Sequence, residues 1–507
     1  MGRGGAPPLR WAVAGAGYAL LALVWVFASP FGAAPDEPAH TVRAAAAGGG
    51  QWQGGLVAPY QRGHGQTQAE ADLLNQQAQQ FTIPADLAAT DPCFVGRPDQ
   101  SAACARATPP PPATVTGTVK ATTYETTAPP GIYTVAGVAM RLPVPGVAPG
   151  YLGRLVLAVV SALLLAGAAW AAGGRGSLWP LAGVALAASP MVLFLGAAVG
   201  TAGIASAAAI CFMSGVLAFW FGPPRRGLAL VIGVSGAILA LSSAAGALAI
   251  VALVGAVLPL VQPRRLTESG AVLASAVVTG ALVAGVALAL DRRPLPAGPV
   301  DLFAAASTAL QAAPRLLQEA AGVFGRSDVP LPLFAYAIWG GMLVIGLSTA
   351  LVLGRWRDRM AMALVAVAAA AAATVAYGFI LSPVGWDLRG SFLLPILVGL
   401  PVLTGFVLHA AGVRSRADVL LIGIAVVGVQ LLALWENARR YAVGTGGPLN
   451  FLDAARWSPP GGWMLWMVLA AAGGALVLLA MLPLSRRESD EEGWGPLVVV
   501  DPITVGR

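Results

Sequence analysis

Long apolar runs follow one another along most of the chain and are separated by shorter polar segments. A helix needs about 20 residues to cross the hydrocarbon core of a bilayer. Apolar runs of about this length predict about twelve membrane-spanning helices, at residues 11–29, 151–172, 178–197, 201–221, 227–245, 247–262, 269–290, 331–353, 360–381, 392–411, 418–435 and 463–484. The pattern therefore predicts an all-α integral membrane protein embedded in a lipid bilayer.

Composition supports this class. The chain is 57% hydrophobic and only 10% charged, and its mean hydropathy is +0.74. A soluble domain of this length does not have such a composition. The net charge of +7 does not indicate nucleic acid as a partner, because the basic residues are scattered in pairs between apolar runs instead of forming one stripe.

The arginines between the runs lie mostly on one side. With a cytoplasmic N-terminus, alternation places one set of arginines on the same face: Arg175, Arg225, Arg226, Arg264, Arg265, Arg355, Arg357, Arg359, Arg414, Arg416, Arg486 and Arg487. Short arginine-bearing loops mark the cytoplasm. We therefore expect a multi-pass protein of the bacterial plasma membrane with both termini in the cytoplasm. The alternative of a cleaved signal peptide is disfavoured, because the first run is longer than a usual signal core.

The same pattern divides the chain into segments. An extracytoplasmic loop or small subdomain, an outer amphipathic segment and two shorter outer loops separate the spans. In order, the divisions are the N-terminus with the first span at 1–29, the outer subdomain at 30–150, spans two to seven at 151–290, the amphipathic segment at 291–330, spans eight to twelve at 331–484 with outer loops 382–391 and 436–462, and a cytoplasmic tail at 485–507.

Two features of the outer segments predict local structure. Apolar residues at three-to-four spacing predict an amphipathic helix along the membrane interface, with Leu302, Phe303, Ala306, Leu310, Ala313, Leu317, Ala320 and Phe324 on its apolar face. Cys93 and Cys104 lie on the oxidising side, where a disulfide would close a loop of about ten residues. The alternative is two unpaired thiols.

The predicted spans carry essentially no ionisable residue away from their ends. Ion-coupled carriers usually place such groups at mid-membrane, which argues against this class. Candidate chemistry gathers instead at the outer surface, with Asp36, Glu37, His40 and Arg43 in the first loop, Asp387 and Arg389 in a short turn, and Arg439, Arg440 and Tyr441 in the last loop. Acids beside arginines suit a reaction that deprotonates a hydroxyl and releases a phosphate. The alternatives are snorkelling arginines and acids that only cap a helix or face solvent.

The motif after the first span, Pro35-Asp36-Glu37-Pro38-Ala39-His40, resembles the signature of a large set of bacterial polytopic proteins grouped with the GT-C glycosyltransferases. Further similarities follow in the same order, at Pro129-Pro130-Gly131-Ile132-Tyr133, Tyr151-Leu152-Gly153-Arg154-Leu155, Phe324-Gly325-Arg326-Ser327-Asp328 and Arg439-Arg440-Tyr441-Ala442-Val443-Gly444. An Asp-Glu pair in the first outer loop is also similar to that of the protein O-mannosyltransferases, another GT-C group.

The resemblance implies an inverting transfer of a sugar from a polyprenyl-phosphate donor to a glycan or lipid acceptor of the cell envelope. The family's acid in the first loop maps to Asp36, the general base, with Glu37 as its catalytic partner. Binding of substrate is expected at His40, Arg43, Tyr133, Asp387, Arg389, Arg440 and Tyr441. No nucleotide donor is implied. A divalent metal is left open, since the sequence offers no metal site beyond the pair Asp36 and Glu37.

Two motifs depart from the family pattern. Its Gln-Gly-Arg-Tyr before a Leu-Leu-Pro span reads here Arg389-Gly390-Ser391-Phe392-Leu393-Leu394-Pro395, and its Asn-Pro-Asn-Gly reads Gly200-Thr201-Ala202-Gly203. We expect Arg389 to supply the guanidinium that Ser391 replaces. The rival functions are a flippase or export partner for lipid-linked glycans and an inactive GT-C-like scaffold. A transporter needs a polar path through its spans, and a scaffold tolerates loss of Asp36.

Overall fold

The computed structural model describes residues 9–57, 68–88, 92–107, 117–145, 147–173, 177–222, 225, 227–261, 300–381 and 387–482. Its α-helices are α1 (Leu9–Ala28), α2 (Glu37–Gly48), α3 (Gln68–Gln77), α4 (Cys104–Ala107), α5 (Pro130–Ala139), α6 (Pro149–Ala172), α7 (Trp179–Ala187), α8 (Pro190–Gly196), α9 (Ala202–Phe221), α10 (Leu228–Ser242), α11 (Ala244–Val257), α12 (Leu302–Gly322), α13 (Leu333–Leu353), α14 (Trp356–Val375), α15 (Gly390–Leu397), α16 (Gly399–Ala410), α17 (Arg416–Val443) and α18 (Gly462–Ala480). The strands are β1 (Gln79–Pro84), β2 (Thr118–Thr123), β3 (Val323–Phe324) and β4 (Val329–Pro330).

Eight helical segments of the described chain are long and apolar enough to cross a membrane. They cover α1, α6, α9, α13, α14 with the π-helical turn Ala376–Leu381, α15 with α16, α17, and α18. A ninth span is present if α7 and α8, which meet at an angle of 60°, are one broken helix. Pro190 begins α8, and the Ser189 side chain caps it by accepting a hydrogen bond from Val192 N.

The expectation of about twelve spans is therefore met in part. The runs at 227–245 and 247–262 form α10 and α11, which have 15 and 14 residues and are shorter than a full span. The expected span at 269–290 lies outside the described residues. What the structure supports is a mostly helical membrane protein with eight or nine candidate spans.

Helix α17 differs most from its expected limits. The sequence pattern ended this span at residue 435, but the helix continues to Val443 and includes Arg439, Arg440 and Tyr441. No proline or glycine lies between residue 435 and Gly444, whose φ of 92° ends the helix. Three residues expected in an outer loop are therefore fixed on a helix.

The membrane helices pack closely where small residues meet. Helix α1 lies against α6 and α18. A Cβ at Gly17 would approach Gly473 O to 2.8 Å, and a Cβ at Gly15 would approach Ala166 Cβ to 2.7 Å. Such contacts let backbones approach, which is how helices associate in lipid. Helix α9 is almost entirely buried, whereas α13 is largely exposed to its surroundings.

The outer subdomain is built from α2, α5 and the β1–β2 ribbon. The two strands are antiparallel, with Gln79 opposite Thr123 and Pro84 opposite Thr118. Helices α2 and α5 cross at Gly48 and Gly137, where any Cβ would clash with the facing backbone. Their shared core joins the membrane part through α6 and α9, and contains Val42, Phe81, Ile83, Tyr133, Leu157 and Ile204.

A second outer element is closed by a disulfide. Cys93 and Cys104 are bonded, and their Cα atoms lie 6.1 Å apart. The segment 92–107 rests on the outer end of α17, where Ala102 N donates to Tyr441 O at 2.9 Å. The bond thus holds a short covering segment over the end of a span.

Helix α12 has the predicted amphipathic character. The Asp301 carboxylate caps it by accepting from Phe303 N and Ala304 N. Only part of the predicted apolar face is buried. Ala320 and Phe324 are buried, whereas a row of four other large side chains is exposed: Leu302, Phe303, Leu310 and Leu317. Phe303 is 84% exposed. A row of this kind is expected to contact lipid.

Candidate functional site around Asp36

Asp36 lies where the chain leaves α1 and begins α2. Its backbone is left-handed, with φ 53° and ψ 15°, and only Ser327 shares this feature among the described residues other than glycine. Aspartate at a helix N-terminus usually caps it, but the Asp36 side chain makes no capping hydrogen bond. A strained residue whose carboxylate is turned away from its own helix is typical of a functional site.

Two groups hold the Asp36 carboxylate from other parts of the chain. The Tyr124 hydroxyl donates to Oδ1 at 3.1 Å. Arg389 Nη1 lies 3.7 Å from Oδ2, and the Asp36 side chain remains 38% exposed. The sequence prediction that Asp36 and Arg389 share one outer site therefore agrees with their positions. The carboxylate is both oriented and accessible.

Burial keeps Tyr124 in its neutral form. Burial raises the pKa of the Tyr124 phenol well above its ordinary value of 10, and the negative charges of Asp36 and Glu125 add to this. The Arg326 charge acts in the opposite direction. Tyr124 is therefore a hydrogen-bond donor to Asp36 at physiological pH.

Glu37 has a different environment from its neighbour. Its side chain is 0% exposed. It accepts hydrogen bonds from Arg154 Nε at 2.6 Å, from Arg154 Nη2, from Gly32 N at 2.9 Å and from Val199 N at 3.1 Å. Arg154 also donates to three carbonyl oxygens, those of Val26, Ser29 and Pro30. All acceptor positions of Glu37 are occupied.

The expected catalytic role of Glu37 stays a prediction, and this geometry favours a structural role for the residue. Its carboxylate is not exposed, and four protein donors occupy its oxygens. Its contacts instead join the exit of α1, the start of α6 and the turn at Val199. Glu37 thus holds the backbone on which Asp36 stands.

His40, one helical turn after Asp36, lines the same region. Its Nδ1 lies 2.8 Å from the Tyr133 hydroxyl and 3.7 Å from Glu125 Oε2. A Cβ at Gly200 would lie 3.4 Å from His40 Cδ2, so this glycine gives the imidazole its space. The structure brings His40 and Tyr133 together as the sequence suggested. Glu125 is an additional acid.

A polar cluster fixes the position of Arg389. Gly390 N, at the start of α15, donates to Glu319 Oε2 at 2.7 Å. Glu319 pairs with Arg315 at 3.2 Å, and Arg315 Nη2 lies 3.5 Å from Asp387 Oδ1. The Arg315 guanidinium also donates to Tyr377 at 3.1 Å. These contacts tie α12 to α15, so Arg315 lies near the start of the helix that follows Arg389.

The sequence predicts substrate binding at Arg440 and Tyr441, and this stays a prediction. Both side chains are buried in the structure. Arg440 Nε donates to Asp328 at 2.9 Å, and its remaining nitrogens donate to the carbonyl oxygens of Phe94, Arg97 and Gln100. With its donors used in this way, Arg440 fastens the disulfide segment to α17.

One known protein family matches the part of the chain that contains Asp36 and Arg389. The profile of a family described as predicted membrane protein, DUF2142, matches residues 19–400. The chain belongs to the DUF2142 family. No curated protein and no solved structure gives a match. The matched part of this DUF2142 protein contains Asp36, Tyr124 and Arg389, and it ends before Arg440.

Several residues of this DUF2142 site were not singled out by their chemistry in the sequence. They are Tyr124, Glu125, Arg154, Arg315, Glu319 and Arg326. Arg154 offered a usable signal, because a charge just inside a span normally needs a buried partner. No group of three His, Cys, Asp or Glu side chains that could hold a metal ion occurs in the part of the chain that the structure describes.

Proposed function

We propose that this protein is a membrane glycosyltransferase of GT-C type. It moves a sugar from a polyprenyl-phosphate donor to a cell-envelope acceptor on the outer face of the plasma membrane, with both termini in the cytoplasm. The observation that carries the proposal is the geometry of Asp36. Its backbone is left-handed, and its accessible carboxylate is held between Tyr124 and Arg389. Membership of the DUF2142 family supports the membrane location alone.

Asp36 acts as general base in the proposed reaction. Its carboxylate takes the proton of the acceptor hydroxyl while the oxygen attacks the anomeric carbon of the donor sugar. The bond from this carbon to the phosphate oxygen breaks, so polyprenyl phosphate leaves and the anomeric configuration inverts. A positioned base of this kind typically contributes about 10²–10⁴-fold in rate.

The leaving phosphate is assigned to Arg389 and Arg315. Their side chains are 37% and 42% exposed, so each has donors available on the outer surface. Charge-assisted hydrogen bonds from guanidinium groups are the usual way to hold a phosphate. Arg389 thereby takes the place of the arginine that the family pattern has where this chain has Ser391. Asp387 adjoins Arg315 and adjusts its orientation.

The donor approaches from the membrane along α12. The exposed side chains of Phe303, Leu310 and Leu317 would contact lipid chains, and Arg315 lies on the same helix between Leu310 and Leu317. An interfacial helix with this arrangement suits a substrate whose tail is lipid and whose head is a phosphate. His40 and Tyr133, which contact each other, are assigned to the acceptor by this proposal.

The test is Asp36→Asn, which keeps the shape of the side chain and removes the proton acceptor. The matched control is Asp453→Asn, since Asp453 is an exposed acid of the segment between α17 and α18. Both variants are assayed in membranes with a panel of synthetic polyprenyl-phosphate hexoses and pentoses, followed by envelope glycan profiles. We expect transfer to fall by about 10²–10⁴-fold for Asp36→Asn and to stay unchanged for Asp453→Asn.

A normal glycan profile with Asp36→Asn would remove the proposal. The remaining candidates would then be an inactive scaffold or an export partner for lipid-linked glycans. Expression and thermal unfolding of both variants, measured in the same detergent, ensure that a loss of transfer reflects chemistry. The left-handed backbone at residue 36 also suits asparagine.

A further inference from the structure

Arg43, on α2, has a buried guanidinium that the rest of the protein leaves largely unsatisfied. The residue is 3% exposed. Its Nη2 donates to Trp52 O at 3.0 Å. Its Nε and Nη1 are buried and have no hydrogen-bond partner among the residues that the structure describes. The Phe81 ring lies under the guanidinium, 5.3 Å from its carbon to the ring centroid.

Two other deeply buried arginines of the outer half have hydrogen-bond partners for their whole guanidinium group. In Arg154 and Arg440 all three guanidinium nitrogens donate, and each has a carboxylate partner. No carboxylate of the described residues is paired with Arg43, because Glu125 lies next to His40 and Asp36 next to Arg389. A desolvated charge without a counter-ion is strongly unfavourable. A group from outside the chain would complete this site.

The position of Arg43 relates it to the proposed reaction. Asp36, His40 and Arg43 are spaced i, i+4 and i+7, which places them on one face of α2. With a rise of 1.5 Å per residue, Arg43 lies about 10 Å along the helix from Asp36. Arg389 contacts Asp36 at one end of this face, so Arg43 is at the other end. A donor phosphate at Arg389 leaves Arg43 to the acceptor.

We propose that Arg43 binds an anionic group, a carboxylate or a phosphate, carried by the acceptor. The inference rests on the proposed function and specifies the class of acceptor. The acceptor is an acidic or phosphorylated glycan. Its charged group lies about two helical turns, or about 10 Å, from the hydroxyl that receives the sugar. The guanidinium donors Nε and Nη1, which have no partner among the described residues, would each donate to an oxygen of the bound group.

Binding is tested with the purified protein in lipid nanodiscs. The probes are glucuronate, inorganic phosphate and glucose, whose separate arms distinguish a carboxylate, a phosphate and a neutral sugar. Calorimetric titration should detect glucuronate or phosphate, and glucose should not compete. Arg43→Met should raise the dissociation constant of the anion about 10- to 100-fold, as expected for the loss of a charge-assisted contact. Arg141→Met, at an exposed arginine after α5, should bind as wild type.

Asp36→Asn separates this inference from the proposed function. It should bind the anion normally, because Arg43 does not contact Asp36. If Asp36→Asn transfers sugar like wild type while Arg43→Met still loses the anion, the anion site stands and the catalytic proposal fails. If Arg43→Met binds both anions like wild type, or if neither anion binds the wild-type protein, the anion site is refuted.

Stability without ligand gives a second readout. Replacing an unpaired buried charge by an apolar side chain of similar length is expected to be neutral or stabilising. The Tm of ligand-free Arg43→Met should therefore equal or exceed that of wild type. A clear fall in Tm would show that the guanidinium holds the fold through Trp52 and Phe81, and it would overturn the assignment of a ligand site.

Discussion

Removing the charge of Glu37 is expected to destabilise the protein more than any change at an exposed acid of the outer surface. In Glu37→Gln the side chain keeps its shape, and one oxygen still accepts hydrogen bonds. The amide nitrogen then faces groups that are themselves donors, because both Glu37 oxygens accept from Arg154 and from backbone N–H groups. Arg154 is left as a buried cation without its counter-ion.

The magnitude follows from the burial of the pair. Breaking a buried ion pair by removing one partner costs about 3–5 kcal/mol. Total stabilities are about 5–15 kcal/mol, so the change removes a large part of what holds the fold. The comparison is Arg315→Met, which should cost less than Glu37→Gln, because the Arg315 side chain is 42% exposed and water screens its charge.

The assay is reversible unfolding in mixed micelles, followed by tryptophan fluorescence, on four proteins: wild type, Glu37→Gln, Arg154→Met and the double variant. Removing both partners leaves no unpaired charge, so the double variant should be less destabilised than the sum of the single variants. The coupling free energy should reach the upper part of the range of about 0.5–3 kcal/mol. A loss below about 0.5 kcal/mol for Glu37→Gln, as at an ordinary surface position, would refute the reasoning.

Two further predictions concern the donor to Asp36 and the orientation of the chain. Tyr124→Phe should reduce transfer by about 10- to 100-fold, because a hydrogen bond to a charged group is worth about 1.5–3 kcal/mol. Since burial raises the Tyr124 pKa, its contribution to stability should be fully present below about pH 10 and be lost as the pH rises further, which alkaline unfolding curves of both proteins can check. A cysteine at exposed Thr118 should react with an impermeant maleimide added to intact cells, and one at exposed Arg414 should not; the reverse pattern would contradict the proposed topology.

The positions of the spans could be predicted because their cause is local. Lipid requires a continuous apolar run, and the run at 11–29 accordingly forms α1 at Leu9–Ala28. The amphipathic helix was visible for the same reason, since spacing along one helix determines its faces. The sequence pattern does not predict the end of α17, because its polar residues indicate a loop. The tertiary contacts of Arg440 keep this end helical.

The site could be predicted only as a collection of residues on one side of the membrane. That Asp36 and Arg389 meet agrees with their shared surface, but no pattern in the sequence shows that Tyr124 completes the site. The sequence also does not show which of the arginines are buried. Arg43, Arg389 and Arg440 look alike as outer arginines, and only the fold shows that Arg440 is satisfied, Arg389 half exposed and Arg43 buried with free donors.

The two adjacent acids divide the work of the site between them. A left-handed backbone at a residue other than glycine costs about 1–3 kcal/mol and persists only where the surroundings impose it. At Asp36 this constraint comes from the next residue, because Glu37 is held by Arg154, Gly32 and Val199. The buried pair thus stabilises a conformation that turns the Asp36 carboxylate away from its own helix and towards Tyr124 and Arg389. If Asp36 is the base of the proposed reaction, stability and chemistry are linked through one peptide bond, because the buried Glu37 determines where the Asp36 carboxylate points.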